Sequence, residues 1–124
     1  MDIEFTKSYI CGEPGPNLYM KGNTSDFFEL SLSIRKLSIE NNVSLVLPAV
    51  VCTKKSIVIC RSKPGAKNLK LQHNYEVLVE LDQKLWKEVA LSMFHISMEP
   101  GRIYLDFEEE ELNFEGNFII DSNL

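Results

Sequence analysis

The sequence has 124 residues, 44% of them hydrophobic and 25% charged, with a formal net charge of −5. That is one domain's length of chain, enough to bury roughly two-thirds of the surface exposed on unfolding, and its average composition excludes collagen, disulfide-scaffold and intrinsically disordered classes. The acidic balance argues against nucleic acid as a partner, because phosphate binding rests on Lys and Arg, and no apolar run approaches the ~20 residues of a membrane-spanning helix.

In chain order, "MDIEFTKSYI" alternates Ile3, Phe5 and Tyr9 with Asp2, Glu4 and Ser8, the period of a half-buried strand. This acidic start lacks the basic and apolar regions of a secretory leader. Cys11, Cys52 and Cys60 are odd in number, as reduced thiols would be, so the expected location is the cytoplasm. "GEPGP" reads as a turn and "NLYMKG" as the returning strand of a loose hairpin. A helix follows. Asn23, Thr24, Ser25 and Asp26 all suit an N-cap, and Glu29 stands three residues past Asp26, the spacing of a capping box. Phe27, Leu30, Ile34 and Leu37 recur at helical spacing, with Phe28 and Leu32 widening the stripe. Arg35 and Lys36 complement the dipole at the far end.

"VSLVLPAVV" is a continuous apolar run that predicts a buried strand ended or kinked by Pro48. "SIVICRS" and "NLKLQ" predict two more strands around the turn "KPGAK". "YEVLVELD" sets Tyr75, Val77, Val79 and Leu81 on one face against Glu76 and Glu80 on the other. Asp82 caps a second helix over Gln83 to Ile96. Its stripe is Leu85, Val89, Met93 and Ile96, broadened by Trp86, Ala90 and Phe94. "RIYLDFE" and "NFIID" are the last strands. The order ββ-α-ββββ-α-ββ with short connections predicts one α+β domain over residues 1–124. Its expected form is an antiparallel sheet with two amphipathic helices packed on one face. No internal repeat is visible.

Motifs for catalysis are missing: there is no G-x-S-x-G, dinucleotide fingerprint, P-loop or H-E-x-x-H. Cys52 and Cys60 stand eight apart, and His73 and His95 lie far from each other, unlike the close pairs of a zinc site. A buried apolar role is favoured for these thiols, and no metal or other cofactor is expected. A Cys–His nucleophile would need a thiol activated by the imidazole. His73 reads instead as a turn residue and His95 as part of a last helical turn. Residues 53–73 carry Lys54, Lys55, Arg61, Lys63, Lys67 and Lys70 and no acid. Without interleaved aromatic residues this segment lacks a platform for stacked bases, so its cations are assigned to the outer sheet face.

The most pointed stretch is "LDFEEEELNFEG", residues 105–116. It holds Asp106, Glu108, Glu109, Glu110 and Glu111, with Glu115 close behind. If the preceding strand continues past Glu108, Tyr104, Asp106, Glu108 and Glu110 share one face. Such a row suits a site for a hard divalent cation, an acid–base pair, a solvated edge whose charge discourages aggregation, or a docking surface. In the docking reading the acids steer a basic protein into contact, while Tyr104, Leu112 and Phe114 supply anchors. This is the functional expectation, with partner-binding residues Tyr104, Asp106, Glu108, Glu109, Glu110, Glu111, Phe114 and Glu115.

The stretch "NLYMKGNTSDFFELSLSIRKL", residues 17–37, is a strand that ends in Gly-Asn and turns into an amphipathic helix. It resembles an element of certain small bacterial immunity proteins and covers about a sixth of the chain. The resemblance implies a cytoplasmic, acidic α+β inhibitor that binds and neutralises a cognate toxin, frequently a nuclease. Two alternatives remain open. One is an accessory or self-assembling protein, for example of phage origin. The other is a metal-dependent hydrolase built on Asp106 to Glu111.

Overall fold

The architecture comes from a computed structural model that describes residues 1–105 and 117–122. In chain order the elements are β1 (Asp2–Thr6), β2 (Asn17–Lys21), α1 (Thr24–Leu37), β3 (Ser44–Val51), β4 (Lys54–Ser62), β5 (Lys67–Leu71), β6 (Val77–Leu81), α2 (Gln83–Met98), β7 (Arg102–Leu105) and β8 (Asn117–Asp121). The α+β class and the element order agree with the sequence pattern. No helix among the described residues is long and apolar enough to cross a membrane.

The sheet is mixed rather than antiparallel. Its eight strands run in the order β5-β6-β4-β3-β1-β2-β8-β7. β1/β2, β3/β4, β5/β6 and β7/β8 are antiparallel hairpin pairs, whereas β1/β3, β2/β8 and β4/β6 are parallel. The short-link rule holds within each hairpin but does not govern neighbours separated by other elements. β5 intervenes in sequence between β4 and β6, and almost the whole chain lies between β2 and β8.

These pairings expose a twofold pattern. The chain runs through ββαββ twice, first from β1 to β4 around α1 and then from β5 to β8 around α2. The last strand of each half adds, in parallel, to the second strand of the other: β8 to β2, and β4 to β6. The counterpart of the β1/β3 pair is β5 with β7, which form the two outer edges of the sheet. The helices repeat as closely. Aligned on their caps, Asn23 and Asp82, their buried residues correspond one for one: Phe27 with Trp86, Leu30 with Val89, Ser31 with Ala90, Ile34 with Met93, and Leu37 with Ile96. Similar side-chain size and burial, rather than identity, carry the repeat, which is why it escapes a residue-by-residue reading.

One face of the sheet meets both helices. Ile3, Phe5, Leu18, Met20, Val58, Cys60, Leu69, Val77, Val79, Phe118 and Ile120 form a single cluster with the helical stripes. Each large side chain fully buried there contributes about 1.5–3 kcal/mol by leaving water. Trp86 also donates its indole N–H to the carbonyl of Arg61 at 2.9 Å, tying α2 to β4.

The capping box of α1 is formed by Asn23 and Asp26, not by Asp26 and Glu29. Asn23 Oδ1 accepts from the Asp26 amide at 2.8 Å, and Asp26 Oδ2 accepts from the Asn23 amide at 3.0 Å. Asp26 also faces the N-terminal amine at 3.6 Å. Pro48 neither ends nor visibly interrupts β3, which pairs with β4 along its whole length. Pairing of β3 with β1 is confined to Val50 and Val51, so Pro48 lies beyond that ladder. β3 is half-buried, with Val46 54% exposed on the face away from the helices. In β6 all five residues are buried. Glu80 is sheltered by Arg61 at 3.6 Å and Asn68 at 3.4 Å, while Tyr75 leaves the strand pattern for an exposed turn.

Candidate partner-binding surfaces

The segment Lys7–Pro16 folds across the face of the sheet away from the helices. Cys11 and Gly12, both at positive φ, make a two-residue turn closed by paired amide bonds between Ile10 and Glu13 at 3.0 and 2.8 Å. Gly15 passes so close to the chain that an added Cβ would lie 2.2 Å from the Lys7 carbonyl oxygen. Two asparagines hold the segment down. Asn17 Nδ2 donates to the carbonyls of Ser8 and Glu13, each at 3.0 Å, and Asn117 Nδ2 donates to the Pro14 carbonyl at 3.0 Å and to Asn17 Oδ1 at 2.9 Å.

Beside them lies a polar cluster on β2, β7 and β8. The carboxylate of Asp121, 2% exposed, accepts from the Tyr19 hydroxyl at 2.6 Å and from Arg102 Nε at 3.2 Å. Burial, then the bonds with Asp121 and Cys11, push the Tyr19 phenol well above its ordinary range. The Arg102 guanidinium is raised further by Tyr104 and then by Asp121. Both groups therefore keep their protons and meet the Asp121 carboxylate as donors. The arrangement binds β2, β7 and β8 together.

Tyr104 is 44% exposed on the edge strand β7, and its hydroxyl donates to the Cys11 carbonyl at 3.2 Å. Of the residues predicted to bind a partner it is the one inside the described structure. Asp106, Glu108, Glu109, Glu110, Glu111, Phe114 and Glu115 lie outside the described residues. Their two flanks are anchored: Leu105 packs against the core, and the Asn117 amide donates to the Pro16 carbonyl at 2.9 Å.

No group of three or more His, Cys, Asp or Glu able to hold a metal occurs among the described residues. Cys60 is fully buried in the core, and burial pushes its thiol up to about 12. Cys52 sits with Thr53 at positive φ in the β3–β4 turn. His95 pairs with Glu99 at 3.3 Å on exposed helix, and His73 lies in the exposed β5–β6 turn. The thiols and imidazoles thus occupy separate environments.

A second surface was not anticipated. Phe28, Leu32, Ile39, Leu91, Phe94 and Met98 are between 43% and 66% exposed along the outer side of the two helices. The helices are antiparallel, with the Phe28 and Phe94 ring centroids 6.2 Å apart and Gln83 Nε2 donating to the Ile39 carbonyl at 3.1 Å. Between them lies an open groove of about 570 Å³, walled by Leu32, Ile39, Leu91 and Phe94 together with Arg35 and Lys87. Phe28, Leu32 and Phe94 read as core from their spacing, yet they fall just outside the buried stripe. An apolar stripe wider than the ~100° a single core contact covers was the signal available in the sequence. Comparison with protein families, with curated proteins and with solved structures finds no match to this chain.

Proposed function

We propose that this chain is a non-catalytic binding protein, an inhibitor of the immunity-protein kind, that meets a basic protein partner through the acidic segment after β7. The observation that carries this reading is the support on either side of that segment. Its two flanks leave neighbouring strands that are cross-tied by Arg102, Asp121, Tyr19, Asn117 and Asn17. Exposed Tyr104 stands at its base. A dense negative charge on a fixed support accelerates encounter with a cationic partner and orients it, and an aromatic side chain beside it adds the desolvated contact that charge alone does not supply. The cytoplasmic location and a toxin as the neutralised partner come from the resemblance of residues 17–37 and belong to the same proposal.

The test compares tagged wild type with a variant carrying Asn at Asp106 and Gln at Glu108, Glu109, Glu110 and Glu111. Capture of a basic protein by the wild type, reversed by salt and lost in the variant, is the expected result. Equal capture by both removes the acidic surface from the reading.

A second reading, self-assembly, is favoured by one observation. Val46 and Val50 are exposed beside Pro48, Ile57 and Ile59 on the face of the sheet away from the helices, and contiguous apolar patches of this kind mark contact surfaces. Sedimentation at high concentration distinguishes it: a monomer excludes this assembly. The hydrolase reading rests on Asp106 to Glu111 alone, and an absence of heat on calorimetric titration with Ca²⁺, Mg²⁺ or Mn²⁺ removes its metal-dependent form.

A further inference from the structure

The interhelical groove sits on the twofold relation between the halves of the chain, but its lining does not obey that relation. Under the cap alignment Leu32 corresponds to Leu91, whereas Phe28 corresponds to Lys87 and Arg35 to Phe94. The helices are antiparallel, so these exchanges sort by position along the groove. The Phe28–Phe94 contact fixes one level and the Gln83–Ile39 bond another. Between them, Arg35 falls level with Lys87, one cation on each wall. From the Phe28–Phe94 contact just beyond one end, the groove runs past Leu32 and Leu91 to a doubly cationic level about 10 Å away, seven helical residues along, with Ile39 a turn beyond.

Among the described residues no carboxylate lines it. Among the described residues, the ion pairs involve Asp26, Glu80, Glu99 and Asp121, and neither Arg35 nor Lys87 takes part in one. Glu29 and Glu88 lie on the same helices but outside the lining. Two exposed cations at one level of an open groove walled by Leu and Phe attract an anion between them, more strongly once docking displaces water. The exposed apolar residues continue past the groove to Phe28 and Met98, a length that suits a third helix laid along the pair and exceeds what a small molecule would cover.

We infer that this groove docks an amphipathic helix of a partner protein, with its apolar stripe on Leu32, Leu91 and Phe94 and acidic residues at one end set between Arg35 and Lys87. The groove is lined by residues of α1 and α2 and the turn after α1, none of them from the acidic segment, and its charge preference is the opposite. A domain with both would join two partners of unlike charge.

The probe is a fluorescein-labelled helical peptide of about 18 residues, long enough to span α1, with a Leu stripe and glutamates clustered at one end. Its control carries lysines in place of the glutamates. The expected result is binding of the acidic peptide about tenfold tighter than its control, a difference of about 1.4 kcal/mol, with methyl NMR shifts at Leu32 and Leu91. The double substitution Arg35→Glu with Lys87→Glu reverses the preference while leaving the far-UV spectrum unchanged, since both side chains are exposed. Equal binding of the two peptides, no binding of either, shifts centred on Val46 and Val50, or sedimentation showing the groove occupied by a second copy of this chain would each overturn the inference.

Discussion

Asn17 gives the sharpest test of how the outer face of the sheet is built. It is fully buried on β2, and its amide makes three hydrogen bonds: to the Ser8 carbonyl, to the Glu13 carbonyl and from Asn117. Asn17→Ala removes all three. At 0.5–1.5 kcal/mol each they would total about 1.5–4.5 kcal/mol. Two features lower the sum. Ser8 is exposed and Glu13 half-exposed, so their carbonyls regain water, and Asn117 keeps its bond to Pro14 at 3.0 Å. The expected loss is about 2 kcal/mol, read from urea unfolding by far-UV circular dichroism with an unchanged denaturant slope. Tryptic cleavage after exposed Lys7 should quicken in parallel, because the amide staple of Lys7–Pro16 is gone. Asn17→Asp keeps the size but turns two acceptors toward two carbonyls. Its cost should be larger at neutral pH and smaller in acid, where the protonated carboxyl regains a donor. A loss under ~0.5 kcal/mol for Asn17→Ala, with unaltered cleavage at Lys7, would refute the claim that the segment is held by this residue.

Three further outcomes follow from the same structure. In the unfolded chain the Cys60 thiol ionises near its ordinary 9.0, whereas burial holds it at about 12 in the fold. Its contribution to stability is therefore complete below the unfolded value and is lost as pH rises toward the folded one. Urea titrations over that window should show an alkaline decline that Cys60→Ala lacks, on the order of 4 kcal/mol across the full range; parallel curves would count against it. Trp86→Phe breaks the indole bond to Arg61 and leaves space beside β4. A loss of about 1–3 kcal/mol is expected, measured by calorimetry. Asn23→Ala removes the reciprocal cap of α1 and should cost about 1 kcal/mol in chemical denaturation, against a negligible effect if Asp26 alone served as the cap.

Local signals carried the reading of this chain a long way, and their limits are physical. Both helices were legible because Phe27, Leu30, Ile34 and Leu37, and likewise Val89, Met93 and Ile96, repeat at helical spacing between clear caps. The choice among four cap-forming residues in a row was not legible, since Asn23 and Asp26 are both competent and the start of α1 decides between them. Strand identities were readable from alternation, but sheet order was not. Nothing in "NFIID" or "NLYMK" records that these two stretches lie side by side in parallel, as they do in β8 and β2. The repeat of ββαββ was hidden for a related reason: packing conserves the burial of Phe27 and Trp86, or of Ile34 and Met93, without conserving their identity. Glu80 shows another limit: alternation puts it on the face opposite Val77 and Val79, but does not show that Arg61 and Asn68 draw it into shelter there. As for the candidate site, composition pointed to the acidic segment, and the structure adds the ties at its base. The cationic groove depends on how two distant helices face one another, which spacing within either one does not reveal.

The central claim is that the acidic segment is a docking surface for a basic protein. It is tested most directly by measuring the association rate between this chain and its captured partner over a range of ionic strength, for wild type and for the variant neutralised at Asp106, Glu108, Glu109, Glu110 and Glu111. The account predicts a fast wild-type rate that falls steeply with salt and a slower, nearly salt-independent rate for the variant. Identical rates with the same salt dependence in both proteins would contradict it.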